Sequence, residues 1–306
     1  MDGNIIDIKR FTLHDGYGIR STLFVKGCGL HCAWCHNPEG IEDRIGLWYL
    51  PRQCIRCRAC VASCPEFALA ADDEADPFIV IDRSRCTKCG ACVKACPTTA
   101  LSFDGQRISS EKAAEILLRD RQFYEESGGG VTVSGGDPLV QHRFVLDILK
   151  RCHEAGVRTA IETCMQAPWE ILEAFLSVTD LFIVDLKLAD DQLHREYTGH
   201  GNELIRDNYR RLAGLKRDML TRIPLIPRVT ALPENIEAIA RFMRECNPGS
   251  RIELINFNPL AENKYLLMDR DRDFFLNMEP LKSEELSGLY AILESAGLAV
   301  VREHFS

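Results

Sequence analysis

The chain has 306 residues and a net charge of −8, with 46% apolar and 27% charged residues, the profile of a globular protein large enough for one barrel-sized domain or two ordinary ones. The acidic balance argues against general nucleic-acid binding, which needs a basic face. No run approaches the roughly 18 apolar residues of a membrane span, and "MDGNIIDIKRF" has no basic lead into an apolar stretch, so a cytoplasmic protein with no membrane partner is expected.

"STLFVKG" (21–27) reads as a strand, and it runs directly into Cys28, Cys32 and Cys35, spaced C-x3-C-x2-C. A Cys-dense block follows at about 50–102; eleven of the 14 cysteines fall between 28 and 96. In a long chain with tight C-x2-C spacing, metal binding is favoured over disulfides. The block holds an internal repeat: "CIRCRACVASCP" (54–65) recurs as "CTKCGACVKACP" (86–97), offset by 32 residues at every cysteine. Beyond it, strands are predicted at "VTVS" (131–134), "RTAIET" (158–163), "LFIVDLK" (181–187), "MLTRIPL" (219–225) and "RIELINF" (251–257). Helical patterns fall between them at about 109–125, 140–154, 168–177, 202–216 and 233–246, the last stopped by "NPG". A helix at 281–296 and the strand-like "LAVVRE" (298–303) close the chain. The alternation implies βαβ units, a parallel sheet, and a barrel or partial barrel of six strands with its site at the strands' C-terminal ends.

Each Cys run spells C-x2-C-x2-C-x3-C-P, the bacterial ferredoxin spacing, in which three thiolates grip one cubane and the fourth, beside Pro, reaches the other. By that rule one [4Fe–4S] cluster takes Cys54, Cys57, Cys60 and Cys96, and the other takes Cys86, Cys89, Cys92 and Cys64. Two zinc sites or a disulfide knot are the alternative, although zinc favours two C-x2-C pairs over this pattern written twice. The first group is different. Three thiolates leave one iron of a cubane open, and an open position is what separates a reactive metal site from a closed structural one. Taken bare, C-x3-C-x2-C also fits a zinc site completed by His31 or His36.

The stretch "GCGLHCAWCHNPEG" resembles the radical S-adenosylmethionine (SAM) superfamily, and "LHDGYGIRSTLFVKGC" resembles the lead-in of its glycyl radical enzyme activating enzymes. The likeness covers about residues 5–270 with its motifs in the family's order; Tyr17 stands where the family usually has Pro. The resemblance implies an α/β fold: a partial (β/α)6 TIM-like barrel over 1–44 and 103–306 with a ferredoxin-like insert at 45–102. It implies three [4Fe–4S] clusters, one of them chelated by SAM at the open iron. One electron then cleaves SAM to methionine and a 5′-deoxyadenosyl radical, which takes an α-hydrogen from a glycine of a partner glycyl radical enzyme. Flavodoxin or ferredoxin as electron donor and a monomeric chain go with it.

The resemblance also places SAM contacts. Trp34 and the backbone through His36 fall on the adenine side. In "GGGVTVSGGDPL" the strand ends in Gly135, Gly136 and Asp137, where the family usually has Glu; such glycines let backbone approach a ligand closely. "IETCM" and "VDLK" end the next two strands: Lys187 is expected to meet the SAM carboxylate as a point charge, Asp185 and Leu186 to lie beside SAM, and Glu162 with Thr163 to hold a ribose hydroxyl or a monovalent cation. Read from the residues alone, Asp185 and Lys187 could equally be a surface salt bridge. Arg222 of "TRIPLIP" is placed against SAM or a catalytic carboxylate. Asn258 falls where the family has a His touching adenosine, and Asn cannot become cationic. Cys152 and Cys246 are expected to be packed in helices, Cys164 to pack beside the pocket, His142, His153 and His194 to be exposed, and "DRDRDFF" (269–275) to be a solvated loop. Two other readings stay open: a radical SAM enzyme acting on a small molecule or peptide, and a polyferredoxin that only passes electrons.

Overall fold

The computed structural model describes residues 1–268, 270, 273–275 and 277–302. Its main feature is a nine-stranded sheet in the order β13-β12-β11-β10-β9-β8-β2-β1-β7. In chain order the strands are β1 (Asp2–Thr12), β2 (Arg20–Val25), β3 (Leu47–Tyr49), β4 (Leu69–Ala71), β5 (Ile79–Ile81), β6 (Leu101–Phe103), β7 (Gln106–Ser109), β8 (Gly130–Gly135), β9 (Thr159–Thr163), β10 (Leu181–Asp185), β11 (Met219–Leu225), β12 (Arg251–Asn256) and β13 (Ala299–Val301). From β2 across to β13 every pairing is parallel. β1 and β7 add an antiparallel edge that the hydrophobic pattern did not reveal.

The parallel strands are buried because helices cover them. The helix His142–Glu154 sets Phe144, Val145, Ile148, Leu149 and Cys152 on one face at helical spacing, all buried. Each large apolar side chain buried this way contributes about 1.5–3 kcal/mol. The helix Pro233–Cys246 starts on Pro, which needs no N–H partner in the first turn, and ends before "NPG". Cys152 is fully buried and Cys246 half-buried, its thiol donating to the Phe242 carbonyl at 2.9 Å.

Four expectations fail here, on a helix, on His194 and His142, and on "DRDRDFF". The helix expected at 168–177 is short, Trp169–Glu173, and an unexpected one, Asp191–Thr198, is started by the Asp190 side chain accepting from Leu193 N at 2.8 Å. His194 lies on that new helix and is buried, not exposed: its ring nitrogen Nδ1 donates to the His200 carbonyl and faces Thr198 Oγ1 at 3.0 Å. His142 is half-buried and His153 exposed. In "DRDRDFF", Asp269, Asp271 and Arg272 lie outside the described residues, but Phe275 is buried, its ring centroid 6.0 Å from Phe257 and 5.1 Å from Tyr265. The aromatic half of that segment is core, not solvated loop.

Residues 47–103 form a separate small body. β3 pairs with β6, β4 pairs with β5, and an apolar cluster of Leu47, Tyr49, Phe78, Ile79 and Leu101 packs with Cys60 and Cys92. It joins the main sheet through a neck built on Lys26, which is 0% exposed. Lys26 Nζ donates to Asp104 Oδ1 at 3.0 Å and to the Glu39 carbonyl, and the same Asp104 oxygen accepts from Gly46 N at 2.6 Å. A buried ammonium needs such partners.

Among the described residues, no helix is long and apolar enough to cross a membrane.

Candidate active site

The C-terminal ends of the parallel strands surround a cavity of about 470 Å³, a size typical of small-molecule sites. Cys28, Cys32 and Cys35, which follow β2, line it together with Trp34 and His36; Gly135 and Gly136 enter from β8, Glu162 and Thr163 from β9, Asp185 and Lys187 from the end of β10, and Arg222 from β11. Residues separated by up to 194 positions thus share one wall because each sits where its strand stops.

The two glycines are fixed by the chain itself. A Cβ on Gly135, whose φ is +119°, would lie 2.3 Å from Val25 N, and one on Gly136 would lie 2.2 Å from the Gly27 carbonyl oxygen. The close approach is of β8 to the end of β2, and it brings the three-cysteine loop against the sheet. Asp137 is not in the cavity wall. It is buried beneath it, accepting from Leu139 N at 2.9 Å, Thr163 Oγ1 at 2.9 Å, Cys164 N at 2.9 Å and Cys164 Sγ at 3.0 Å. Burial holds its carboxyl above the ordinary carboxylate range despite these donors. Asp137 therefore clips the end of β9 to the turn after β8.

Charge in the cavity is paired. Burial works against the Lys187 cation, but Asp185 Oδ2 at 2.8 Å, together with the nearby Cys32 and Cys164, outweighs it and holds the ammonium protonated well above its ordinary range. Arg222 Nε donates to Glu253 Oε2 at 2.6 Å and its Nη1 to Glu162 Oε1 at 2.7 Å, while Nη2 reaches the His14 carbonyl. Burial pushes Glu162 up, and the guanidinium together with Ser134 Oγ at 2.6 Å brings it below the usual range. This fork of one guanidinium between two carboxylates is rigid and planar.

The three thiols fit a cluster. Burial pushes Cys32 up to about 11 and Cys35 still higher, so free thiolates are disfavoured there and cationic iron is what would hold them ionised. Cys28 differs: hydrogen bonding from Cys164 lowers it, and Cys164 keeps its proton well above the ordinary range. Among the described residues no three or more His, Cys, Asp or Glu side chains close on one point as ligands of a single ion do; a cubane asks instead for one thiolate at each iron corner. The cavity also fits SAM. Lys187 answers a carboxylate, Glu162 and Asp185 answer an ammonium or ribose, and Trp34, Ile226, Ile255 and Phe257 give an apolar side for a purine.

Besides Asp137, two residues assigned from the sequence stand elsewhere. Leu186 lies on the wall of a neighbouring cavity of about 370 Å³. Asn258 is exposed and starts a turn, its Oδ1 accepting from Leu260 N at 2.9 Å; Asn256 and Phe257 of the same segment line the site instead. Several contributors had no signal of their own. His14 and Asp15 line the cavity from the loop before β2, inside the quoted lead-in. Lys264 and Tyr265 brace the cysteine loop from "ENKY": Lys264 Nζ donates to the His36 carbonyl at 3.0 Å, Asn37 Oδ1 at 2.9 Å and Glu39 Oε1 at 2.6 Å, and Tyr265 Oη to the Cys35 carbonyl at 3.1 Å.

In the small body the cysteines gather in fours. Cys54, Cys57, Cys60 and Cys96 line one pocket; Cys64, Cys86, Cys89 and Cys92 line another. The repeat is thus a crossed pair, each run lending its last cysteine to the other.

Comparison with known proteins places this arrangement in a class first. The radical SAM superfamily profile matches residues 83–243, a 4Fe-4S single cluster domain matches 14–58, and a 4Fe-4S dicluster domain matches 53–100. The peptide-bound Streptococcus suis SuiB has a similar fold, with a TM-score of 0.51 at 14% identity over 90% of this chain and 46% of that one. The (2S)-3-sulfopropanediol dehydratase activating enzyme of Klebsiella oxytoca is 39% identical over 86% of this chain and 84% of its own length, and the benzylsuccinate synthase activating enzyme of Thauera aromatica is 38% identical over 97% and 91%. The chain belongs to the glycyl radical enzyme activating enzymes of the radical SAM superfamily. With that family come 4Fe–4S clusters and SAM as cofactors.

Proposed function

We propose that this protein activates a partner glycyl radical enzyme by reductive cleavage of SAM, leaving a stored radical on one glycine of that partner. When bound, the cluster and SAM supply the 5′-deoxyadenosyl radical that takes the glycine α-hydrogen. The observation that carries the reading is the convergence of Cys28, Cys32 and Cys35 with Glu162, Asp185 and Lys187 on one cavity at the sheet's C-terminal edge. Cys28, Cys32 and Cys35 hold three irons. Lys187 binds the SAM carboxylate, Gly135 and Gly136 offer backbone to its ammonium, and Glu162 and Asp185 orient the ribose or a monovalent cation. Arg222 fixes Glu162 in place, Asp137 positions the turn, and Trp34, His36 and Phe257 exclude water from the adenine side.

The barrel, residues 1–44 and 103–306, is open between β13 and β7, the two ends of the sheet order, which suits a substrate that is a loop of another protein. Residues 45–102 form a ferredoxin-like insert with two further clusters, for three in all. Flavodoxin or ferredoxin supplies the electrons, and the chain works as a monomer in the cytoplasm. The relatives are named for activating different enzymes, two dehydratases and a synthase, at nearly equal identity, so the partner is to be found by trial.

Anaerobic incubation with SAM, dithionite and candidate glycyl radical enzymes tests the reading. A glycyl doublet in the EPR spectrum of the partner is expected. Deoxyadenosine formed with no protein radical on any candidate would point to a small-molecule or peptide substrate instead.

A further inference from the structure

The two halves of the insert repeat are alike in cysteines but not in what they show to solvent. Loop 52–58 carries Arg52, Arg56 and Arg58, all exposed, around Ile55, which is 62% exposed. The corresponding residues of the second half are Thr87 for Ile55, Lys88 for Arg56 and Gly90 for Arg58. Residues 56, 58, 88 and 90 all take left-handed backbone, with φ of 57°, 60°, 58° and 79°. Gly90 does so without strain; Arg58 does not. A long cationic side chain kept where the repeat uses glycine points to a use for the charge.

The surroundings support this. Arg56 and Arg58 are held over the buried Phe78 ring, with Cζ 5.1 Å and 5.9 Å from its centroid, so both guanidinium groups are positioned rather than free. The bonds this loop makes stay inside the insert: Arg58 with exposed Asp73, and Gln53 with Thr99. The second loop is exposed at Thr87, Lys88 and Cys89 but borders the barrel on one side. Cys86 and Lys88 line a junction cavity of about 320 Å³ with Glu39, Met268 and Arg270. Each loop exposes a cysteine, Cys57 and Cys89, but only the first sets an exposed apolar residue among arginines, and none of its residues lines that junction cavity.

We propose that loop 52–58 is the docking face for an acidic, one-electron carrier protein, with Ile55 at its centre and Arg52, Arg56 and Arg58 at its rim. The proposal rests on the activation reading, which requires an external reductant, and deepens it by naming where that reductant lands. An apolar centre ringed by arginine is the pattern of a small, transient protein interface, and its charge is opposite to that of the chain as a whole, −8. At each encounter the reduced carrier gives up one electron and becomes oxidised by one; the centre held by Cys54, Cys57, Cys60 and Cys96 takes it up. No bond or proton changes hands.

The test uses the whole cluster-loaded protein and a purified, fully reduced acidic flavodoxin as probe, following bleaching of the iron–sulfur absorbance by anaerobic stopped flow at several salt concentrations. The variant Arg56→Asn/Arg58→Gly removes two charges with residues that tolerate left-handed backbone, and Arg52→Glu gives an independent reversal. The expected result is a fall of about tenfold in the second-order rate at low salt with a shallower salt dependence, while bleaching by dithionite, which needs no docking, is unchanged. Wild-type rates and salt dependence in both variants would overturn the proposal, as would an equal loss with dithionite. Binding of single-stranded DNA through these arginines, with flavodoxin rates unaffected, would also overturn it. Failure of the wild type to cleave SAM with dithionite sinks the activation reading alone, since the flavodoxin measurement does not depend on SAM.

Discussion

The three-cysteine site and the four-cysteine pockets use the same ligand and differ in room. The two pockets of the small body offer about 10 and 20 Å³, while the cavity beside Cys28, Cys32 and Cys35 offers about 470 Å³ and is lined by Glu162, Asp185, Lys187 and Arg222. A closed set of four thiols leaves nothing for an organic molecule to bind. An open set of three matters only where a shaped, charged space adjoins it. The difference predicts opposite consequences for loss of one thiol. Cys32→Ala is expected to abolish SAM cleavage, at least a thousandfold, and to lower iron by about four per chain, one cubane being four irons. Cys89→Ala, at an exposed position of the small body, is expected to lose similar iron yet keep most dithionite-driven cleavage. Iron analysis and deoxyadenosine assay on the two variants decide it; equal loss of cleavage in both would erase the distinction.

The two regions meet at the Lys26 neck, and the next largest effect is expected there. Lys26 and Asp104 are both almost wholly buried, and removing one member of a buried pair leaves an uncompensated charge. Lys26→Met is expected to destabilise the protein by about 3–5 kcal/mol, measured by denaturant unfolding followed by circular dichroism. Lys26→Met/Asp104→Leu should recover part of that loss. A neutral single variant would mean that the small body and the main sheet are joined by something other than this charge pair.

Within the open site, Lys187 separates ligand binding from cluster binding. Lys187→Met removes one charged hydrogen-bond donor, for which about 1.5–3 kcal/mol corresponds to a 10- to 100-fold weaker SAM affinity, with iron unchanged. Equilibrium binding of SAM to the loaded protein checks this. Lys187→Arg is not expected to restore affinity, because a forked guanidinium does not replace a point charge already paired with Asp185 at 2.8 Å. Undiminished SAM binding by Lys187→Met would assign the carboxylate contact to another residue.

What could be read in the sequence was what repeats or alternates. Cysteine spacing is covalent bookkeeping along the chain, so the grouping in fours needed no tertiary knowledge. The buried parallel strands are dense in β-branched residues, and five of them stand within three residues of where that density put them. What could not be read was long-range pairing. Arg222 joins Glu162 and Glu253 from 60 and 31 positions away, and nothing local to either carboxylate announces it. β1 is half exposed and its polar residues obscure a strand. Asn258 was placed by alignment to a motif, while the fold turned its neighbours Asn256 and Phe257 inward. Gly135 and Gly136 were expected to let backbone approach a ligand closely; the backbone packed against them is that of Val25 and Gly27.

His194 shows the same limit with a measurable consequence. Polar neighbours in sequence suggested solvent, whereas the helix Asp191–Thr198 turns the ring inward, where it is 1% exposed. Burial, with Lys187 adding to it, lowers the His194 pKa below its ordinary 6.5, although the His200 carbonyl opposes the shift. The neutral ring is therefore the folded form, and the unfolded chain binds a proton that the native state refuses. The sign follows: the contribution to stability is complete above about pH 6.5 and is lost as the pH falls through the folded value, at up to about 1.4 kcal/mol per pH unit between the two. For a domain of this size that is roughly 2–4 °C in the thermal midpoint, the smallest of these effects. Scans of wild type and His194→Gln from pH 7.5 to 5.5, with the cluster absorbance monitored so that acid loss of iron is seen separately, should show a steeper decline in the wild type. Parallel profiles would mean that His194 takes up its proton without disturbing the helix that buries it.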